Sequence, residues 1–377
     1  MPKMLFLKTS FSGSSRYLMD GFRNMGWELT VVEVPFPKTD RILALALNFR
    51  FDPMEWIAAA QNWLGQFYKR PSLFMAKTRF CQDAVERYGE SVDVIFQTQS
   101  LFMPVAGIEG LRTPYTVFTD YTNMLADKNP YWRPFAPAGR ESYELEKRLF
   151  RNASAVFITN ENARRSLVDD YGVSGDRAVV ARFGAPFDKL PEDRPRSYDG
   201  KTILFIGKDF ERKGGWVLVE AFRRVRQEIP AAELIIAGPQ KYALKIRDEG
   251  ISILGRIGDR ERIGGLYKKA SLFAMPSLSE PSAQVFLEAM AYKLPCVSTD
   301  VDGTSEIVKD GQTGLLVKPK DAQALAGRIV SLLKDQDLMK KMGEYGYARV
   351  RSDFTWERTI RDMDARLRAI IAGKGRP

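Results

Sequence analysis

The sequence predicts an α/β protein built from two similar, doubly wound halves, and three observations predict it. Short apolar runs rich in β-branched and aromatic residues alternate with helix-length segments along most of the chain. The alternation pauses at a stretch dense in proline and charge, residues 186–200, and then resumes. The chain has 377 residues, which at roughly 150 per domain is the length of about two domains.

The elements follow in order. Lys3–Leu7 reads as a first strand, followed by a small-residue loop, Lys8 to Ser15, and a helix from about Arg16 to Met25. Gly26 stops that helix and Glu28–Val34 forms a second strand. Val92–Gln97 and Tyr115–Thr119 are further strands, and a helix over about Arg140–Phe150 leads into the strand Ala155–Thr159. Units of this kind predict a parallel sheet covered on both faces. Residues 186–200 hold three prolines and seven charged residues, a linker composition, so the domain boundary is expected there. Beyond it, strands are expected at Thr202–Ile206, Glu233–Ala237, Ser252–Leu254, Leu272–Met275 and Cys296–Thr299. Helices are expected near 215–228, 260–269 and 282–293, with three more at 321–334, 337–350 and 356–371. Two such halves predict facing domains with a cleft between their strand ends.

Composition excludes several classes of chemistry. With 45% hydrophobic and 28% charged residues this is an ordinary globular chain, and no run of about 18 uncharged apolar residues predicts a membrane span. The start, Met1 to Leu7, is too short for a signal-peptide core. Cys81 and Cys296 stand far apart, with no disulfide framework and no zinc spacing, so a reducing compartment is expected. The chain has no histidine, which removes Ser-His-Asp and Cys-His nucleophiles and His-ligated metals. Its net charge of +10 attracts phosphates, nucleic acid or anionic membranes, or is simply a solvated basic surface.

Residues 41–80 stand apart. They hold eight aromatics (Phe49, Phe51, Trp56, Trp63, Phe67, Tyr68, Phe74, Phe80) and six Lys/Arg against two acids. Such a density suits a membrane-interface helix, an acceptor-binding wall, or aromatics packed in their own domain's core, and core packing is the expectation.

Three segments of the second half could carry chemistry. In Pro276-Ser277-Leu278-Ser279-Glu280-Pro281-Ser282-Ala283-Gln284-Val285, a strand ends, a loop follows and a helix is expected to start near Pro281. The free N–H groups and positive dipole end of such a helix suit a phosphate. Glu288 falls two turns into that otherwise apolar helix, where a carboxylate needs partners: sugar hydroxyls, or a neighbouring Lys or Arg. The second segment, Phe205 to Gly215, runs from a strand through Gly207, Lys208, Arg212 and Lys213 to Gly214-Gly215, placing three cations beside a helix start. The third, Asp302-Gly303-Thr304-Ser305-Glu306, follows the strand Cys296–Thr299, and Gly303 permits close approach of backbone to a ligand.

Together these segments resemble the large retaining glycosyltransferase family usually called family 4, or glycosyl transferases group 1, which has the GT-B fold. Glu280-Pro281 through Glu288-Ala289-Met290-Ala291 is similar to the family's E-x7-E motif. Gly207 through Lys213-Gly214 resembles its Gly-Arg … Lys-Gly segment, with Lys208 for the usual arginine. Ile236-Ala237-Gly238 and Leu254-Gly255 stand where the family has strand ends near the nucleobase, and Glu306-Ile307-Val308 through Val317 matches the stretch after the donor site. In the first half, Gly13-Ser14 falls at the family's glycine loop. Thr119-Asp120 falls where members commonly have a histidine that contacts the donor sugar.

The resemblance implies two facing Rossmann-like domains with a cleft between them: residues 1–190 binding the acceptor, 200–355 binding the nucleotide sugar, and 356–377 a C-terminal helix returning to the first domain. It implies transfer of a hexose, with retention, from a nucleotide sugar (UDP-sugar favoured) to a glycan, lipid-linked or small-molecule acceptor. Lys213, Glu280 and Asp120 would be the catalytic residues; either Asp120 or a backbone group assumes the missing histidine's contact, or the donor sugar or the activity differs. Gly13, Gly207, Lys208, Arg212, Lys213, Gly238, Arg256, Ile257, Glu280, Ser282, Ala283, Gln284, Val285 and Glu288 would bind the donor. Fixed cations would hold the diphosphate, so neither metal nor cofactor is expected. Localisation is expected to be cytoplasmic, contact with the inner face of the cell membrane being left open. The alternatives are a catalytically degenerate GT-B protein that binds nucleotide sugar, and a nucleic-acid-binding protein, for which no recognisable module or Arg-rich helix is found.

Overall fold

A computed structural model describes the chain except residues 10–12, 36–37, 50, 52–55, 58–59, 61–69, 105–111, 132–137, 240–245 and 374–377. It divides into two compact units, Met1–Arg182 with Trp356–Pro377, and Phe183–Thr355.

The first unit is organised by one six-stranded sheet of β1 (Lys3–Thr9), β2 (Glu28–Val34), β3 (Val94–Thr98), β4 (Tyr115–Thr119), β5 (Ala155–Ile158) and β6 (Ala178–Val180), in the order β2-β1-β3-β4-β5-β6. Every pairing is parallel. The central strands are continuous apolar runs: Met4, Leu5, Phe6 and Leu7 of β1 are fully buried, as a parallel strand covered on both faces requires. The C-terminal helix Trp356–Ala372 belongs to this unit. Trp27 Nε1 donates to Asp364 Oδ1 (2.6 Å), Arg368 Nε pairs with the same carboxylate (2.9 Å), and Tyr17 stacks on Trp356 at 5.1 Å between centroids. A Cβ on Gly21 would come within 2.5 Å of the Ile360 side chain, so the bare glycine lets helix Ser15–Asn24 approach the C-terminal helix.

The second unit holds β7 (Thr202–Ile206), β8 (Glu233–Ala237), β9 (Ile251–Gly255), β10 (Leu272–Met275), β11 (Cys296–Thr299) and β12 (Gly314–Val317). Their order is β12-β11-β10-β7-β8-β9, all parallel. Counted from β7, this is the doubly wound order 3-2-1-4-5-6, whose direction reverses between β7 and β10.

The linker-like stretch belongs to the second unit. The division falls at 182/183, and residues 186–200 pack on the second unit. Phe187 and Leu190 lie on its core, Arg196 Nη1 donates to the Tyr292 carbonyl (3.0 Å), and the Tyr198 hydroxyl donates to the Lys293 carbonyl (2.8 Å). Proline and charge kept this backbone out of helices and strands, but its long side chains still found backbone acceptors.

The aromatic-rich segment departs in part from the core expectation. Phe74 is buried in the first unit's core, whereas Phe49, Phe51 and Phe80 are exposed, as are Ile42, Leu43, Leu45 and Leu47 of helix Lys38–Leu47. Phe49 packs edge-on against Phe51 and Trp56. Trp63, Phe67 and Tyr68 lie outside the described residues.

Candidate active site

In an open doubly wound sheet, the place where strand order reverses leaves a crevice at the carboxyl ends of the two diverging strands, and ligands bind there. In the second unit that place lies between β7 and β10. The loop after β7 carries Lys208, Arg212 and Lys213, and the loop after β10 carries Glu280. The topology therefore unites two segments about seventy residues apart in sequence.

The two loops are locked by backbone as well as by charge. Gly214 has φ 72, and a Cβ there would lie 1.8 Å from the Pro276 carbonyl oxygen, so both conformation and space demand glycine. The Leu278 N–H donates to the Arg212 carbonyl (2.8 Å). Lys213 runs over the bare α-carbon of Gly207, where a Cβ would sit 2.4 Å from Lys213 Cδ. On β8's end, Gly238 at φ 113 lets its backbone abut Gly207, a Cβ there meeting the Gly207 oxygen at 2.5 Å.

At the centre, Lys213 Nζ lies 3.0 Å from Glu280 Oε2, and Arg212 Nη1 lies 3.6 Å from the same oxygen. Glu280 is 6% exposed. Arg212 Nε also pairs with Asp209 (2.9 Å), and its Nη1 donates to the Ser279 carbonyl (2.6 Å). Two cations and Glu280 thus meet in a largely desolvated corner, with Asp209 balancing the second positive charge at its edge, and there charge–charge interactions are stronger than in water.

Not every predicted residue joins that cluster. Lys208 is exposed. Arg256 is exposed and Ile257 half-buried, just past β9. The helix expected near Pro281 begins at Gln284: Ala283 has ψ 73, and the Gln284 N–H donates to the Ser282 carbonyl (2.8 Å), so Pro281–Ala283 form a non-helical turn. Proline's permission to start a helix was overridden by the turn that brings the chain out of the Glu280 loop. Ser282, Ala283, Gln284 and Val285 form that turn and the helix's first residues.

Glu288 lies on the same helix with partners of its own. Tyr267 donates to its Oε2 (2.8 Å), and Arg260 Nη1 is 3.5 Å from its Oε1. Burial pushes its carboxyl above the ordinary value, against the pull of the Tyr267 hydrogen bond and the Arg260 and Lys213 charges. Tyr267, fully buried and stacked on Tyr292 at 5.2 Å, carried no signal in the sequence, because an isolated tyrosine on a helix reads as core. Asp302 was visible as part of a motif but without a role. Its Oδ2 accepts from Ser279 Oγ (2.9 Å) and from the Glu280 N–H (2.7 Å).

Gly13 and Asp120 belong to the first unit. Gly13 is exposed just before helix Ser15–Asn24. Asp120 follows β4, its carbonyl accepting from Thr159 Oγ1 (3.3 Å). Thr119 is buried, and its hydroxyl donates to the Tyr121 carbonyl (3.2 Å). Among the described residues, no group of three or more Cys, Asp or Glu gathers as a metal site would.

The fold has counterparts among solved structures. A sucrose-phosphate synthase from Thermosynechococcus elongatus superposes with TM-score 0.69 at 19% identity, covering 99% of this chain and 100% of that one. HepE from Anabaena, solved in complex with UDP-glucose, superposes with TM-score 0.67 at 18% identity, covering 98% and 100%. The chain has the GT-B fold that these proteins share.

Residues 187–349 match the family described as Glycosyl transferases group 1. Among characterised relatives, it is 31% identical over 240 residues to a D-inositol 3-phosphate glycosyltransferase from Nocardia farcinica, covering 58% of this chain and 53% of that one. It is 26% identical over 228 residues to a glycogen synthase from Mycobacterium tuberculosis, covering 58% and 55%. The chain therefore spans little more than half the length of these two relatives.

Proposed function

We propose that this protein is a retaining glycosyltransferase that moves a hexose from a nucleotide sugar, UDP-sugar by preference, to a carbohydrate, lipid-linked or small-molecule acceptor without a metal ion. The observation that carries this reading is the convergence of Lys213, Arg212 and Glu280 at the switch point of the second unit. Breaking a glycosyl–phosphate bond leaves about two negative charges on the nucleotide, and cations already fixed in a desolvated corner stabilise that charge as it develops. Lys213 is the principal stabiliser and Arg212 the second. Glu280 contacts the donor sugar and Glu288 the ribose hydroxyls. No residue is assigned as a carboxylate nucleophile, so the acceptor attacks on the face the diphosphate leaves, and the leaving phosphate takes the acceptor's proton. The UDP-glucose complex of HepE supports the choice of donor.

Of the acceptor classes, a lipid-linked one gains support from the exposed apolar residues Ile42, Leu43, Leu45, Leu47, Phe49 and Phe51, which suit the interface of an anionic membrane. Among the described residues no helix is long and apolar enough to cross a membrane. The reading puts the protein in the cytoplasm, working at the inner membrane face when the acceptor is lipid-linked.

Calorimetric binding of UDP, GDP and ADP, each with and without EDTA, tests the reading. One nucleotide should bind, indifferent to EDTA, and Lys213→Ala should abolish that binding. No binding of any of the three would overturn it. A second reading, a protein that binds nucleotide sugar without turnover, is favoured by Thr119, whose hydroxyl is already engaged where the family's histidine is expected. Product formation separates the two.

A further inference from the structure

The peptide unit joining Ser279 to Glu280 is held at both ends by side chains from other loops. Its carbonyl accepts from Arg212 Nη1 at 2.6 Å, from the loop after β7. Its N–H donates to Asp302 Oδ2 at 2.7 Å, from the loop after β11. The same Asp302 oxygen accepts from Ser279 Oγ at 2.9 Å. Two peptides upstream, Thr299 Oγ1 donates to the Ser277 carbonyl, tying the base of the loop to the end of β11. With its carbonyl and N–H both engaged, the peptide plane cannot rotate, and the direction in which the Glu280 side chain leaves the backbone is set.

Asp302 reaches this position from a left-handed backbone at φ 46. That region suits glycine, and aspartate tolerates it better than most residues. An aspartate held there is what brings its carboxylate across to the neighbouring loop.

We propose that Asp302 is a positioning residue, the one that aims Glu280 at the donor sugar. The inference rests on the reading of Glu280 as the sugar contact. Asp302 itself needs no contact with substrate, because it acts through the Ser279–Glu280 peptide. Misplacing a contact group by about an ångström can lower turnover ~100-fold. Nucleotide binding, which depends on Lys213 and Arg212, is left largely intact.

Two variants test this. Asp302→Gly keeps the left-handed backbone without cost and removes the clamp. Asp302→Asn also tolerates that backbone and keeps an acceptor oxygen. Asp302→Gly should lower kcat ~10–100-fold, leave UDP affinity within about threefold of wild type, and speed amide exchange at Glu280. Asp302→Asn should recover most of both turnover and exchange protection. Wild-type turnover and exchange in Asp302→Gly would overturn the proposal, and so would equal loss of kcat and UDP affinity. If wild-type protein neither binds UDP nor turns over, the failure lies with the functional reading. Amide exchange at Glu280 then still decides whether Asp302 holds the peptide.

Discussion

Lys213 Nζ lies 3.0 Å from Glu280 Oε2, a pair that joins the loops on either side of the second unit's switch point. With Arg212 3.6 Å from the same oxygen, the carboxylate partly neutralises two cations before any anion arrives. On the proposed reading an incoming diphosphate would compete with Glu280 for them, so Glu280 would oppose nucleotide binding while serving the sugar.

Glu280→Gln should therefore separate affinity from turnover. Removing the competing charge should tighten UDP binding ~3–10-fold, from about 1 kcal/mol of partly screened electrostatics. Turnover should fall, since a neutral amide cannot make the charged contact to the sugar. Calorimetry and initial rates measure both, and weaker UDP binding would count against the competition. Lys213→Ala should lose UDP affinity and ~10²–10³ in turnover together, as expected for one preorganised charge donor.

Glu288→Gln addresses a different contact. If Glu288 holds the ribose hydroxyls, the donor KM should rise ~10-fold or more while kcat falls less, the size of a lost charged hydrogen bond. An unchanged donor KM would leave Glu288 as no more than the partner of Tyr267 and Arg260.

Gly214→Ala combines a φ of 72 with a Cβ 1.8 Å from the Pro276 oxygen. The loops after β7 and β10 would have to separate, at about 2–5 kcal/mol for backbone strain and overpacking together. Urea denaturation measures the cost, and a loss under about 0.5 kcal/mol, the range of ordinary surface changes, would show that the loops adapt.

Lys77 supplies a pH dependence away from the site. It is 2% exposed on helix Pro71–Tyr88, and burial lowers its pKa from 10.5 to about 8, against an opposing influence of Cys81. The unfolded chain then holds this proton more tightly than the folded one. Stability lost to burying the charge is lost in full below pH 8 and recovered as pH rises to about 10.5. The stability difference between wild type and Lys77→Met should shift in favour of wild type by up to about 3 kcal/mol between pH 7 and pH 10. A difference that does not change with pH would show that Lys77 titrates normally.

Local pattern in the sequence determined the elements. Glu28–Val34, Tyr115–Thr119, Thr202–Ile206, Glu233–Ala237, Leu272–Met275 and Cys296–Thr299 are strands over the residues expected. All but Glu28–Val34, a partly exposed edge strand, were legible because a parallel strand buried on both faces is a continuous apolar run bounded by loop residues. The charged motif residues Arg212, Lys213, Glu280 and Glu288 were legible as well, since such groups beside apolar strand ends need a reason to be there. What only the tertiary structure decided is who meets whom. Strand order, a long-range property, brought residues 213 and 280 together and set Asp302 on the Glu280 peptide. It also gave Glu288 its tyrosine partner, and the packing of Arg196 and Tyr198 joined the linker-like stretch to the second unit. Periodicity and composition report a residue's immediate neighbours along the chain, whereas a buried ion pair or a clamped peptide depends on side chains that only parallel crossovers bring into reach.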